Sequence, residues 1–382
     1  MKKVLFVATV VKLHVMVFHV PYLEWFKKNG YEVHVAARND YARPEECVIP
    51  FCERFIDLPF ERSPLKRSNI HVYHQLKTLI DTENYDIIHC HTPMGGALGR
   101  LAARQARKKG TKVIYTAHGF HFYRGAPWPN WALYYPAERI LSRWTDLLIT
   151  INEEDYQAAQ HFSAKRLVKV PGVGIALDSL RIKANRTALR ASIGLSESER
   201  VILAVGELNT NKNHRVLIEA LSQLNDPSIH LVICGEGPLQ SKLHELSVHL
   251  GLADRVHLLG FRRDVAQWIQ SADVFAFPSY REGLSLSLME AMAGGLPVVA
   301  SKIRGNTDLI DDAKGGYLVD PKAVDGFCEA LSQLTQNPQH AKAMGLYNAS
   351  KIEAYTISRV LTIVGDLYRS CAPASTADTD HH

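Results

Sequence analysis

The sequence predicts an α/β fold of two parallel sheets in tandem. Three observations carry that expectation: the length of 382 residues, short apolar runs alternating with amphipathic stretches, and a break near residue 172 after which the pattern restarts. A chain of this length exceeds one ordinary domain and suits two, each large enough to bury its own core. With 46% hydrophobic and 22% charged residues, the composition is that of a globular protein and excludes the disordered and fibrous classes.

Runs rich in Val, Ile and Leu are the mark of parallel strands buried on both faces. In the first half they fall at 3–9, 32–37, 86–91, 112–118, 147–152 and 167–170. The first follows Met1-Lys2-Lys3 and imitates a secretory leader, but Lys12 and His14 interrupt the apolar stretch, so it is read as a buried strand. The second half repeats the pattern at 201–206, 230–234, 256–259, 274–278, 297–300 and 316–319. Between the halves, Pro171-Gly172-Val173-Gly174 breaks regular structure. The expected division is 1–172, 173–355, and 356–382 for a terminal helix followed by a small, polar, disordered tail. No apolar run reaches the roughly 18 residues of a membrane-spanning helix.

Charge is unevenly spread. Residues 1–172 carry 24 Lys/Arg against 16 Asp/Glu, so the remainder is slightly acidic within a net charge of +5. Basic groups at Lys27-Lys28, Arg62 with Lys66-Arg67, Arg104 with Arg107-Lys108-Lys109, and Arg139 with Arg143 suit an anionic membrane surface or solvated helix faces equally well. Trp25, Phe26, Trp128, Trp131, Tyr134 and Tyr135 add apolar surface for a lipid headgroup, or for packing. No basic run is interleaved with stacking aromatics, which argues against nucleic acid. The six cysteines form neither a CxxC pair nor a disulfide framework, which points to a reducing, cytoplasmic setting, peripheral on the inner membrane face at most.

The segment from Pro278 to Val299 carries the most chemistry. An apolar run ends in a glycine-containing loop, a helix follows to about residue 293, and Gly294-Gly295 stop it before Pro297. Glu282 and Glu290 are eight residues apart, which along a helix would separate them by roughly 12 Å. That is on the order of the reach from a donor's sugar across two phosphates to its ribose. Glu290 can accept hydrogen bonds from ribose hydroxyls and Glu282 from sugar hydroxyls. Between them, a helix start around Gly283, Leu284 and Ser285 offers N–H groups to a diphosphate. Spacing alone fits two solvated glutamates as well.

This segment resembles the E-x7-E signature of the retaining glycosyltransferases of family 4, in the GT-B structural class of two Rossmann-like domains facing across a cleft. Other pieces match in order: Val205-Gly206-Glu207-Leu208-Asn209 with Lys212, Gly235 in Cys234-Gly235-Glu236-Gly237-Pro238, Leu259-Gly260-Phe261, the stretch 301–310, and Thr116-Ala117-His118-Gly119-Phe120. The similarity is greatest to bacterial capsular and exopolysaccharide enzymes. It implies a nucleotide-sugar donor, UDP-linked by preference, a glycan or polyprenyl-diphosphate-linked acceptor, and transfer of a hexose or N-acetylhexosamine. It also implies that Gly206, Glu207, Lys212, Gly235, Phe261, Gly283, Leu284, Ser285 and Glu290 bind the donor, with His118, Lys212 and Glu282 catalytic. Two departures stand out. Glu207 replaces an Arg common in relatives, leaving it to orient Lys212 or meet the acceptor, and Val10–Phe18 lacks the paired glycines usual after the first strand. His14 and His19 in that loop are candidates for acceptor contact.

No cofactor and no metal are expected. His89-Cys90-His91 places two imidazoles on one strand face, but no third ligand follows at a recognisable spacing. Asp378-Thr379-Asp380 imitates a diphosphate-binding DxD yet lies beyond any expected strand. A nucleotide-sugar epimerase on the same frame and a non-catalytic sugar-nucleotide scaffold are the rival readings.

Overall fold

The computed structural model describes residues 1–177, 180 and 184–371, so Asp378-Thr379-Asp380 lie outside the described residues. The chain divides into two compact units, Met1–Gly174 together with the chain from Ile357 on, and Ile175–Thr356.

The first unit is built on a seven-stranded sheet: β1 Lys2–Val10, β2 Tyr31–Arg38, β3 Arg54–Asp57, β4 Ile87–His91, β5 Lys112–Ala117, β6 Leu147–Thr150 and β7 Arg166–Lys169. All pairings are parallel, in the order β3-β2-β1-β4-β5-β6-β7. The second unit holds β8 Arg200–Val205, β9 Ile229–Cys234, β10 Val256–Leu258, β11 Val274–Phe277, β12 Val298–Ser301 and β13 Gly316–Val319. These are again parallel, ordered β10-β9-β8-β11-β12-β13. Each sheet therefore reverses its winding once, between β1 and β4 and between β8 and β11. The crevice outside the carboxyl ends of such a pair is where open α/β sheets bind ligands.

Every expected apolar run forms a strand. The structure adds β3, an edge strand whose residues are all exposed or half-buried, so it lacks the apolar run that marks its neighbours. Helix Ile357–Cys371 belongs to the first unit. Its Tyr368 is 1% exposed, packs against Phe26 at a ring-centroid distance of 4.5 Å, and shares a 2.9 Å hydrogen bond with His89 Nδ1. Trp25 packs on the same helix, 5.2 Å from the Tyr368 ring, while Phe26 is fully buried against Phe6 and Tyr31. Packing within the unit thus accounts for both residues. Replacing Tyr368 by Phe leaves the His89 Nδ1 without its partner and is expected to cost about 1–2 kcal/mol. A reduced urea midpoint at unchanged slope checks this.

Among the described residues no helix is long and apolar enough to cross a membrane. Several basic side chains are already committed: Lys28 to Glu24, Arg107 to Asp146 and Lys27 to Glu53. Helix Trp128–Leu141 instead exposes Trp128, Leu133 and Ile140 by 77, 56 and 49%.

Candidate functional site

In the second unit the loops leaving β8 and β11, the strands flanking the winding reversal, converge. Lys212 Nζ on the first donates to Glu282 Oε1 on the second at 2.8 Å, with the two side chains 20 and 14% exposed. Asn209 Oδ1 accepts from the Lys212 backbone N–H, and the ammonium lies 4.9 Å from the Phe277 ring centroid. Asn213 adopts a left-handed conformation and ties the loop to the carbonyls of Pro278 and Pro321. Lys212 is therefore oriented by Glu282 and not by Glu207, which is exposed.

Close backbone approach fixes these loops. A Cβ on Gly235 would stand 1.9 Å from the Gly206 carbonyl oxygen, and one on Gly305, whose φ is +81°, only 1.4 Å from that of Gly283. Neither site admits a side chain without displacing backbone. Gly235 donates to the Gly260 carbonyl, and the Phe261 amide donates to Glu236, leaving the Phe261 ring 67% exposed.

Helix Leu286–Ala293 begins one residue after Ser285, whose hydroxyl caps it by accepting from the Leu288 amide. Glu282 lies in the loop ahead of this helix, so helical rise does not set its distance from Glu290. Within the helix, Glu290 is half-buried and its carboxyl has no hydrogen-bond partner among the described residues; burial pushes that carboxyl up to about 7. One cation escaped the sequence reading as an individual. Arg304 is 7% exposed and donates from Nε to the Glu282 carbonyl oxygen at 3.2 Å. Only the fold reveals its contact with the Glu282 loop, since the matching stretch 301–310 does not by itself single out Arg304.

The first unit gathers histidines at its own winding reversal. His14 and His19 follow β1, His91 ends β4, and His118 follows β5. Residues Val11–Val15 form a π-helical turn, and it brings the His14 ring to 4.8 Å from that of His118. His14 and His118 line a cavity of ≈ 320 Å³ with Thr9, Arg62, Thr92 and Tyr134, while His19, 1% exposed, sits behind it. His89 faces the same way as His91, 4.0 Å between ring centroids, but is engaged by Thr116 and Tyr368. Additional ligand-type partners of His91 thus exist, on loops too distant in sequence for spacing to reveal.

Two family models match the chain: Glycosyl transferases group 1 over residues 185–351, and Glycosyl transferase 4-like over residues 3–152. EpsD of Bacillus subtilis (strain 168), named as a glycosyltransferase, is 41% identical over 373 residues, 96% of each chain. The UDP-Gal:alpha-D-GlcNAc-diphosphoundecaprenol alpha-1,3-galactosyltransferase of Escherichia coli is 31% identical over 271 residues, 69% of each. Among solved structures, Anabaena HepE in complex with UDP and glucose superposes with a TM-score of 0.79 at 20% identity, covering 97% of this chain and 100% of that one.

Proposed function

The chain belongs to the group 1 glycosyltransferases and has their GT-B fold, and from that premise we propose that it transfers a hexose or N-acetylhexosamine from a UDP-sugar, with retention of configuration, to a glycan or polyprenyl-diphosphate-linked acceptor. The setting is synthesis of a bacterial surface polysaccharide, at the cytoplasmic face of an anionic membrane. The observation that carries this reading is the Lys212–Glu282 pair across the winding reversal of the second sheet, with Glu290 waiting unpaired on the adjoining helix. A relative that acts from UDP-Gal on a diphosphoundecaprenol-linked sugar supports the donor and acceptor classes.

Each residue then has a role. Glu290 accepts from the ribose hydroxyls, and Phe261 offers an exposed ring to the base. The opening amides of helix Leu286–Ala293 receive the diphosphate. Lys212 offsets the charge that grows on the departing phosphate, and Arg304 supplies positive potential where Glu207 stands in place of the usual Arg. Glu282 keeps one oxygen for sugar hydroxyls, and His118 contacts the transferred sugar. His14 and His19 form the acceptor side, His14 directly. On this account no metal is needed to hold the donor.

The test is a thermal-shift series with nucleotide sugars, followed by product analysis. A UDP-sugar is expected to raise the melting temperature equally in EDTA and in Mn²⁺, and an added lipid-linked acceptor to be glycosylated with the donor's anomeric configuration. Stabilisation only with Mn²⁺ would overturn the metal-free donor site. A changed donor sugar in the absence of acceptor would make the protein an epimerase.

A further inference from the structure

We propose that His14, His19, His91 and His118 form a binding site for a divalent transition-metal ion of the zinc class, built on rings that the transferase reading turns toward the acceptor and the transferred sugar, so that a bound ion would compete with those contacts. One ring nitrogen from each of the four lies within 4.8 Å of the others. A tetrahedral ion with zinc–nitrogen bonds of about 2.0–2.1 Å sets its ligands roughly 3.4 Å apart. His91 Nδ1 and His118 Nε2 already stand at 3.3 Å. Closing the remaining gaps requires movements on the order of 1 Å.

Unpaired atoms point to the same conclusion. Both ring nitrogens of His19, Nε2 of His91 and Nε2 of His14 are buried without a hydrogen-bond partner. Each such atom left alone in the interior is destabilising, and a single ion would engage one nitrogen of every ring.

Placement fits as well. The ligands come from the carboxyl ends of β1, β4 and β5, so the ion would occupy the crevice where the first sheet reverses its winding. It would pin the π-helical turn Val11–Val15 to the sheet. The ligand set is all nitrogen with no carboxylate, which selects zinc-like ions over the oxygen-seeking Mg²⁺ and Ca²⁺.

The experiment uses the full chain, stripped with chelator, desalted and titrated with Zn²⁺, Co²⁺ and Mg²⁺; no nucleotide sugar is present, so its outcome is independent of the transferase assignment. One equivalent of Zn²⁺ is expected to bind, Co²⁺ to give the intense visible absorption of a tetrahedral nitrogen site, and Mg²⁺ to leave the protein unchanged. His14→Gln and His118→Gln, both at the rim of the cavity, should each weaken Zn²⁺ binding at least tenfold while circular dichroism shows an intact fold. Should one variant fail to fold, the other carries the test. The proposal fails if no saturable equivalent binds, if neither rim variant alters it, or if binding disappears in His381→Ser/His382→Ser, which would assign it to the terminal histidines.

Discussion

Lys212→Ala is expected to lower kcat by about 10²–10³-fold while the protein remains folded, the range typical of removing one preorganised donor from a developing anion. Lys212 is the cation that the loop after β8 holds at the winding reversal, and Asn209, Glu282 and the Phe277 ring set its position. Its stem runs over Gly206, where an added Cβ would meet Lys212 Cδ at 3.1 Å. That confinement leaves a bulkier guanidinium little room, so Lys212→Arg should restore only part of the activity. Steady-state kinetics with a saturating UDP-sugar checks both variants. Undiminished kcat in the alanine variant would remove Lys212 from the mechanism.

Glu290→Gln is expected to weaken donor binding by roughly 10–100-fold, the loss of about 1.5–3 kcal/mol that accompanies a charged hydrogen bond. The same substitution should stabilise the ligand-free protein, with a defined pH dependence. Burial raises the Glu290 carboxyl to about 7 in the folded state, against about 4.3 in an unfolded chain. Between those values the folded form holds a proton that the unfolded form has lost, so its stability falls as pH rises through the window. At pH 8 the cost of ionising Glu290 is fully present, with an upper bound of roughly 4 kcal/mol; at pH 4 it is nearly absent. Glutamine carries no such cost. The variant should therefore gain stability at pH 8 and little at pH 4, measured by denaturant midpoints, while losing affinity for UDP-sugar. Equal donor affinity in the two proteins would sink the role given to Glu290.

Much of the architecture could be read from the chain because parallel strands buried on both faces carry apolar runs without interruption, as in residues 4–8 of β1 and in Val274–Phe277. Where a strand sits at an edge, as β3 does, half its surface is solvated and the signal fades. Glu282, Glu290 and Lys212 stood out as carboxylates and a cation beside glycine loops, but their relationship did not. That Lys212 and Glu282 meet depends on β8 and β11 being neighbours, a matter of strand order that no local pattern encodes. Arg304 and the histidine group were hidden for the same reason. His14 and His118 are over a hundred residues apart, and a π-helical turn with no sequence hallmark directs one toward the other.

The return of helix Ile357–Cys371 to the first unit bears on how the polypeptide matures during translation. The second unit is one continuous stretch and can condense as soon as residue 356 clears the ribosomal exit tunnel. The first must wait for Ile357–Cys371, with Phe26 and His89 lacking the cover of Tyr368 until that helix has been made. The earlier-made half is thus the later to finish, an inversion of the usual vectorial order, and a premature stop codon shortly before Ile357 would leave it incomplete.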